Sequence, residues 1–225
     1  VLLFGASGMT VLIQLRDKIA GEVFDFQVLG DALSRYRKPR DKITQLLSNG
    51  TIIRIRKGLY CFGNTFRRES IVREYLANLI YGPSYVSLEF AMSYHSLIPE
   101  RVETVTSVTT QRPREFFTPF GAFSYRKLNA RRYSVGVALE TAGAATFLMA
   151  TVEKALADKV WTDKRFSGSR VADFEEYLFD DLRVDPGAMD SFDMSRLEAI
   201  GSAYESTKID NLVRYLKRSR RFPHA

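Results

Sequence analysis

The chain has little of what disulfide-bonded, metal-binding or hydrolytic proteins depend on: of its 225 residues one is cysteine, two are histidine and one is tryptophan. A lone Cys61 makes no internal disulfide, which suits a reducing, cytoplasmic setting, and its apolar neighbours predict a buried structural thiol. With only His95 and His224, no Cys/His cluster at zinc spacing exists, so neither a metal nor a cofactor is expected. No run approaches the ~18 apolar residues of a membrane span, and the opening VLLFGASG lacks the charged start of a secretory signal, so no membrane partner is expected. That opening resembles the start of a nucleotide-binding βαβ unit, yet Val11 stands where a third glycine belongs and no second strand with a terminal acidic residue follows. Residues 1–9 therefore read as an extension or a cloning remnant.

What is present is an ordinary globular composition, 45% hydrophobic and 26% charged, with a net charge of +7 that favours a polyanionic partner. The organising stretch is 38–63, KPRDKITQLLSNGTIIRIRKGLYCFG. Proline at a first helical position, Ile43, Leu46 and Leu47 at helical spacing, and Asn49-Gly50 as a stop predict a short helix. The following TIIRIRKGLYCF predicts two strands joined by a basic turn. With helices expected from Thr10 to Ala20 (Val11, Leu12, Leu15 and Ile19 inward) and over 23–36 (Phe26, Leu29 and Leu33 inward), residues 10–65 have the layout of a winged helix-turn-helix.

In that layout a turn of about 100° per residue puts Lys38, Asp41, Thr44, Gln45 and Ser48 on the outer side of the helix over 39–48. Thr44 and Gln45 are the candidates for base contacts. Lys38, Arg40 and Lys42, with Arg54, Arg56 and Lys57 of the hairpin, are the candidates for phosphates. The plainer alternative is a solvated helix and hairpin, or a winged helix that binds protein rather than DNA.

Residues 66–225 read as a larger α+β domain around a mostly antiparallel or mixed sheet. Helices are expected over 69–80, after Ser87 as a cap, over 152–161 after Thr151, and at about 171–179, 194–204 and 208–218. Strands are expected over 104–110, 116–117, 122–128, 133–139 and 146–149. Which face of 122–128 is buried stays open, Phe123 and Tyr125 competing with Ala122 and Ser124.

No enzyme is expected, because no nucleophile stands with a base. His95 reads as a hydrogen-bonded structural histidine and Ser87 as a helix cap. Glu153 and Asp158 are read as first-turn charge and surface pairing. Asp173, Glu175, Glu176, Asp180 and Asp181 are read as a solvated acidic face. Lys208, Arg214, Lys217, Arg218, Arg220 and Arg221 decorate an amphipathic helix that packs through Ile209, Leu212, Val213 and Leu216.

Several ordered strings are more specific than any of these motifs. RIRKGLY at 54–60, PSYVSLE at 83–89 with Tyr94-His95 and LIPE at 97–100, TSVT at 106–109, TPFG at 118–121 with Phe123 and Tyr125, and TVEKALAD at 151–158 together resemble AbiEi-type antitoxins over roughly residues 10–160. The resemblance implies a transcriptional regulator of a type IV toxin-antitoxin system. Its winged helix would repress its own promoter at inverted repeats in double-stranded DNA. Its second domain would counter a nucleotidyltransferase-like toxin without a stable complex. It assigns no residue to that second role.

Overall fold

Asp25 breaks what the sequence presents as one amphipathic helix over 23–36. In the computed structural model, which describes residues 6–221 and the side chains of 11–219, the Asp25 carboxylate accepts a 2.8 Å hydrogen bond from the Val28 amide and caps a helix that starts at Phe26. The three residues before it form a strand instead, with Val23, Phe24 and Asp25 opposite Cys61, Tyr60 and Leu59. Phe26 consequently sits in the first turn and is 46% exposed, which corrects its expected place in the core. The burial falls to Leu29, Ala32 and Leu33.

The architecture is α+β, in two units. The first runs to Ile71 and includes Thr118–Phe120. It contains α1 (Ala6–Lys18), β1 (Val23–Asp25), α2 (Phe26–Ala32), α3 (Pro39–Ser48), β2 (Ile52–Arg56) and β3 (Leu59–Phe62). Helix α1 begins inside the stretch read as an extension, so that Ala6, Ser7 and Gly8 of the βαβ-like opening are helical, while residues 1–5 lie outside the described residues. The strands form one antiparallel sheet in the order β1-β3-β2, and the β2–β3 turn needs Gly58, at φ +86°, to reverse within two residues. Val11, Leu15 and Ile19 meet Leu29, Leu33, Ile43, Leu46 and Phe62 in a single core, with Leu47 only partly buried. Beside it the Arg16 guanidinium grips Glu22 through two 2.9 Å hydrogen bonds and lies 3.6 Å from the centre of the Phe62 ring. Cys61 is fully buried within β3, and burial pushes its thiol up to about 11.

The second unit holds α4 (Arg73–Ile80), β4 (Ser84–Val86), α5 (Leu88–Tyr94), β5 (Val105–Thr109), β6 (Arg114–Thr118), β7 (Gly121–Lys127), α6 (Ala130–Tyr133), β8 (Val137–Ala142), β9 (Ala145–Ala150), α7 (Val152–Thr162), α8 (Asp173–Glu176), α9 (Met194–Tyr204) and α10 (Thr207–Arg221). Its sheet has the order β6-β7-β5-β4-β9-β8 and is mixed. Strand β4 pairs antiparallel with β5 and parallel with β9, while β5 pairs parallel with β7. On β7 Phe123 and Tyr125 face the core, which resolves the open choice of face. Helix α7 packs against α5, α9 and α10.

Four expectations shift here. The helix predicted over 69–80 starts only at Arg73, and Ser84–Val86, to which no strand was assigned, is a fully buried strand. The strand predicted at 133–139 is displaced because Asn129 accepts a 3.1 Å hydrogen bond from the Arg132 amide and opens the turn α6. The helix over 171–179 becomes α8 followed by a π-type turn over Tyr177–Asp181. Along α10 Ile209, Leu212 and Leu216 are buried and Arg214 and Arg218 are exposed; the side chains of Arg220 and Arg221, and His224, lie outside the described ones.

Candidate nucleic-acid interface

Helix α3 starts where Pro39, at the first helical position, needs no amide partner, and it ends where Gly50, at φ +72°, turns the chain into β2. Ile43 and Leu46 anchor it in the core, so the alternate face is left to solvent. Arg40, Thr44 and Gln45 are exposed on it, Lys38 is exposed at its cap, and Lys42 is half-buried at its flank. Lys42 donates a 2.8 Å hydrogen bond to the Gln45 side-chain oxygen and lies 5.4 Å from the centre of the Tyr36 ring. Thr44 donates back to the Arg40 carbonyl at 3.1 Å. Lys38 stands 3.9 Å from Asp41, but both side chains are about three-quarters exposed, so the pair is screened and weak.

Helix α3 packs against β2, and the basic hairpin follows it directly in the chain. Arg54 and Arg56 are exposed two residues apart on β2, with an irregular register between them, and Ile55 is buried. Lys57 is exposed in the turn. Among the described residues none of Arg40, Arg54, Arg56 and Lys57 joins an ion pair; Arg54 is steadied only by the Tyr60 ring, 5.8 Å from its guanidinium carbon. All eight predicted contact residues therefore fall on two neighbouring elements of one small unit, seven of them exposed.

The structure also brings together residues that sequence reasoning had separated. Lys154 and Asp158, one turn apart on α7, form a 3.0 Å ion pair with both side chains fully buried. Asp158 accepts from the Tyr85 hydroxyl at 2.9 Å, from Ser87 at 2.7 Å and from Tyr204. Lys154 uses its three donors on Asp158, on the Arg132 carbonyl at 2.5 Å and on the Tyr204 oxygen at 2.9 Å. Every polar atom is matched, and the group is a staple between β4, α6, α7 and α9, closed to substrate. Two expectations are corrected. Asp158 and Glu153 are buried rather than at the surface, Glu153 receiving the Asp193 amide at 2.6 Å and Arg196. Ser87 stands at the start of α5 but spends its hydroxyl on Asp158, not on capping. The i, i+4 spacing of Lys154 and Asp158 signals the pair, though not its burial.

His95 is half-buried and donates through Nε2 to the Ala150 carbonyl at 2.8 Å. Glu175, Glu176, Asp180 and Asp181 are exposed, and among the described residues no group of three or more His, Cys, Asp or Glu side chains is placed to hold a metal ion. No described helix is long and apolar enough to cross a membrane.

The staple contributes to the protein's response to alkali. Burial first, and the Asp158 carboxylate second, hold the Tyr85 and Tyr204 hydroxyls well above the ordinary tyrosine range; burial and Asp163 raise Tyr177 in the same way. These groups stay protonated in the folded chain while the unfolded chain ionises near 10.0, so the stability they contribute is complete below that pH and is lost as the pH climbs. Burial lowers the Lys154 amine, which works in the opposite direction as the pH nears 10.5. Burial lowers the Lys208 amine too, but with Tyr94, Tyr133 and Tyr215 also raised the tyrosines outnumber the two lysines, and the unfolding free energy should fall above pH ~10 by up to about 1.4 kcal/mol per pH unit for each proton released. Urea titrations across that range measure it, and a flat or rising stability would contradict protonated, buried hydroxyls.

Compared with protein-family models and with curated proteins, the chain matches none.

Proposed function

We propose that this protein is a DNA-binding transcriptional autorepressor and the antitoxin of a type IV toxin-antitoxin system, its first unit acting as a winged helix-turn-helix. The observation that carries the DNA half is the concentration of unpaired cations on α3 and on the hairpin it packs against, around a helix face left free of apolar groups. In this reading α3 lies in the major groove, where the Gln45 amide and the Thr44 hydroxyl meet base edges. Lys38, Arg40, Lys42, Arg54, Arg56 and Lys57 neutralise phosphates of double-stranded DNA at inverted repeats in the promoter. The antitoxin half rests on the likeness of the strings at 83–100, 106–109, 118–125 and 151–158 to AbiEi-type antitoxins. Its partner would be a nucleotidyltransferase-like toxin, met without a stable complex.

Titrating promoter DNA at several salt concentrations tests the first half. Six phosphate contacts predict that log K falls by about 5 per tenfold rise in salt. Arg54→Ala with Arg56→Ala should flatten that slope by about two, one for each phosphate lost. An unchanged slope would remove the hairpin from the interface. Co-expression with the nucleotidyltransferase-like toxin that this reading expects to be encoded beside it tests the second half: rescue of growth is the expected result, and continued arrest would overturn it.

A second reading, a winged-helix module that binds protein, draws on Ile13, Phe26 and Val28, apolar side chains exposed in the first unit. It predicts no appreciable affinity for random-sequence DNA at physiological salt.

A further inference from the structure

The second unit contains a cavity of about 1000 Å³ that none of the roles above uses. A second cavity, of about 620 Å³, shares Glu89, Val102, Lys159, Asp163 and Arg165 with it. The shared wall is an ionic one. Lys159 lies 2.7 Å from Glu89 and 3.7 Å from Asp163, and Arg165 lies 3.6 Å from Asp163. Both carboxylates of the larger cavity are thus committed to two of its five cations. The other three, Arg126, Lys127 and Lys164, are exposed and join no ion pair among the described residues. The rest of the lining is of a different character: Leu88, Val102, Pro113 and the half-buried Trp161 ring, with the hydroxyl of Ser124 on the same side of β7 as Arg126. The Arg132 guanidinium lies 4.0 Å from the centre of the Trp161 ring and Tyr204 meets it edge-on.

We infer that this cavity is a binding site for a nucleoside polyphosphate. An anion with several charges would answer the cations Arg126, Lys127 and Lys164 in the lining, which join no ion pair among the described residues. A flat apolar group fits against the half-buried indole in the lining. A volume of this size holds both parts of such a ligand and is too large for phosphate alone. The phosphates lie against Arg126, Lys127 and Lys164, and the base lies against Trp161. The inference rests on the second unit alone and is independent of how the first unit is read.

The chain's single tryptophan makes the test direct. The full chain, without DNA, is titrated at physiological salt with ATP, GTP, CTP and UTP, and with inorganic triphosphate. Binding is followed by Trp161 fluorescence and by calorimetry. At least one nucleotide should bind saturably, one to one, at least about tenfold tighter than inorganic triphosphate, which lacks the base. Arg126→Ala with Lys127→Ala should weaken it about tenfold or more, as should Lys164→Ala alone to a smaller extent, while Arg54→Ala with Arg56→Ala leaves it unchanged. Circular dichroism checks that each variant is folded; Lys164 is an exposed position outside any helix or strand and serves if the strand variants are not. The inference is overturned by any of four results: no saturable binding up to millimolar nucleotide, equal affinity for inorganic triphosphate, equal loss in the Arg54/Arg56 variant, or binding of single-stranded RNA when all four mononucleotides fail.

Discussion

Replacing Asp158 by alanine is expected to destabilise the second unit by about 3–5 kcal/mol, the cost of removing one partner of a buried ion pair. The magnitude follows from what the carboxylate satisfies. Its loss strands the Lys154 ammonium with two of three acceptors and leaves the Tyr85, Ser87 and Tyr204 hydroxyls without their acceptor, all in a site shut off from water. Lys154→Met should cost less, because Asp158 would keep three hydroxyl donors and hydrogen bonds to a charged group are worth roughly 1.5–3 kcal/mol each. Urea denaturation followed through Trp161, which lies on α7 between Asp158 and the helix end, reads both variants in the unit concerned. Equal losses, or a loss below about 1 kcal/mol for Asp158→Ala, would mean that water enters the cluster and replaces the missing partner.

Phe62→Ala should cost a comparable amount, about 3–5 kcal/mol, in the first unit. The ring is fully buried, meets Phe24 edge-on at 4.9 Å and lies under the Arg16 guanidinium at 3.6 Å. Truncation opens a cavity beneath β3 and takes away the surface on which the Arg16–Glu22 pair rests. A unit of this size has little stability to lose, since small domains bury a smaller fraction of their surface. The proposed DNA binding should therefore disappear in Phe62→Ala although every cation is retained, whereas Arg54→Ala with Arg56→Ala should lose affinity and keep the fold. Amide hydrogen exchange across 11–62 separates the two cases. Retained exchange protection in Phe62→Ala would show that the core tolerates the gap.

The two units differ in how far their sequences could be read. In α3 the apolar residues recur at helical spacing, proline marks the start and Asn49-Gly50 the stop, so the helix is found with the bounds 39–48. In the hairpin, β-branched and aromatic residues on either side of Lys57-Gly58 locate both strands. These are local signals. By contrast Val23–Asp25 and Ser84–Val86 are three residues each, too short for a period of two to be told from one helical turn. They are strands because Tyr60 and Cys61, or Ser107 and Val108, supply partners from distant parts of the chain. The staple was hidden for a related reason. Two of its members are on α7, but the acceptors and donors that let them be buried are 22 to 73 residues away.

By itself, then, the amino-acid order determined the α+β class, the position of α3 and its basic hairpin, the buried thiol of Cys61 and the inward stripes of α1 and α10, because each depends on residues within a few turns of one another. Only the tertiary structure decided which charges are solvated and which are not. Lys154 and Asp158 carry the same side-chain types as Lys38 and Asp41, yet the first pair is fully buried and the second about three-quarters exposed. The difference is the set of hydrogen-bond partners that the rest of the fold brings within reach, and no pattern along the chain encodes that.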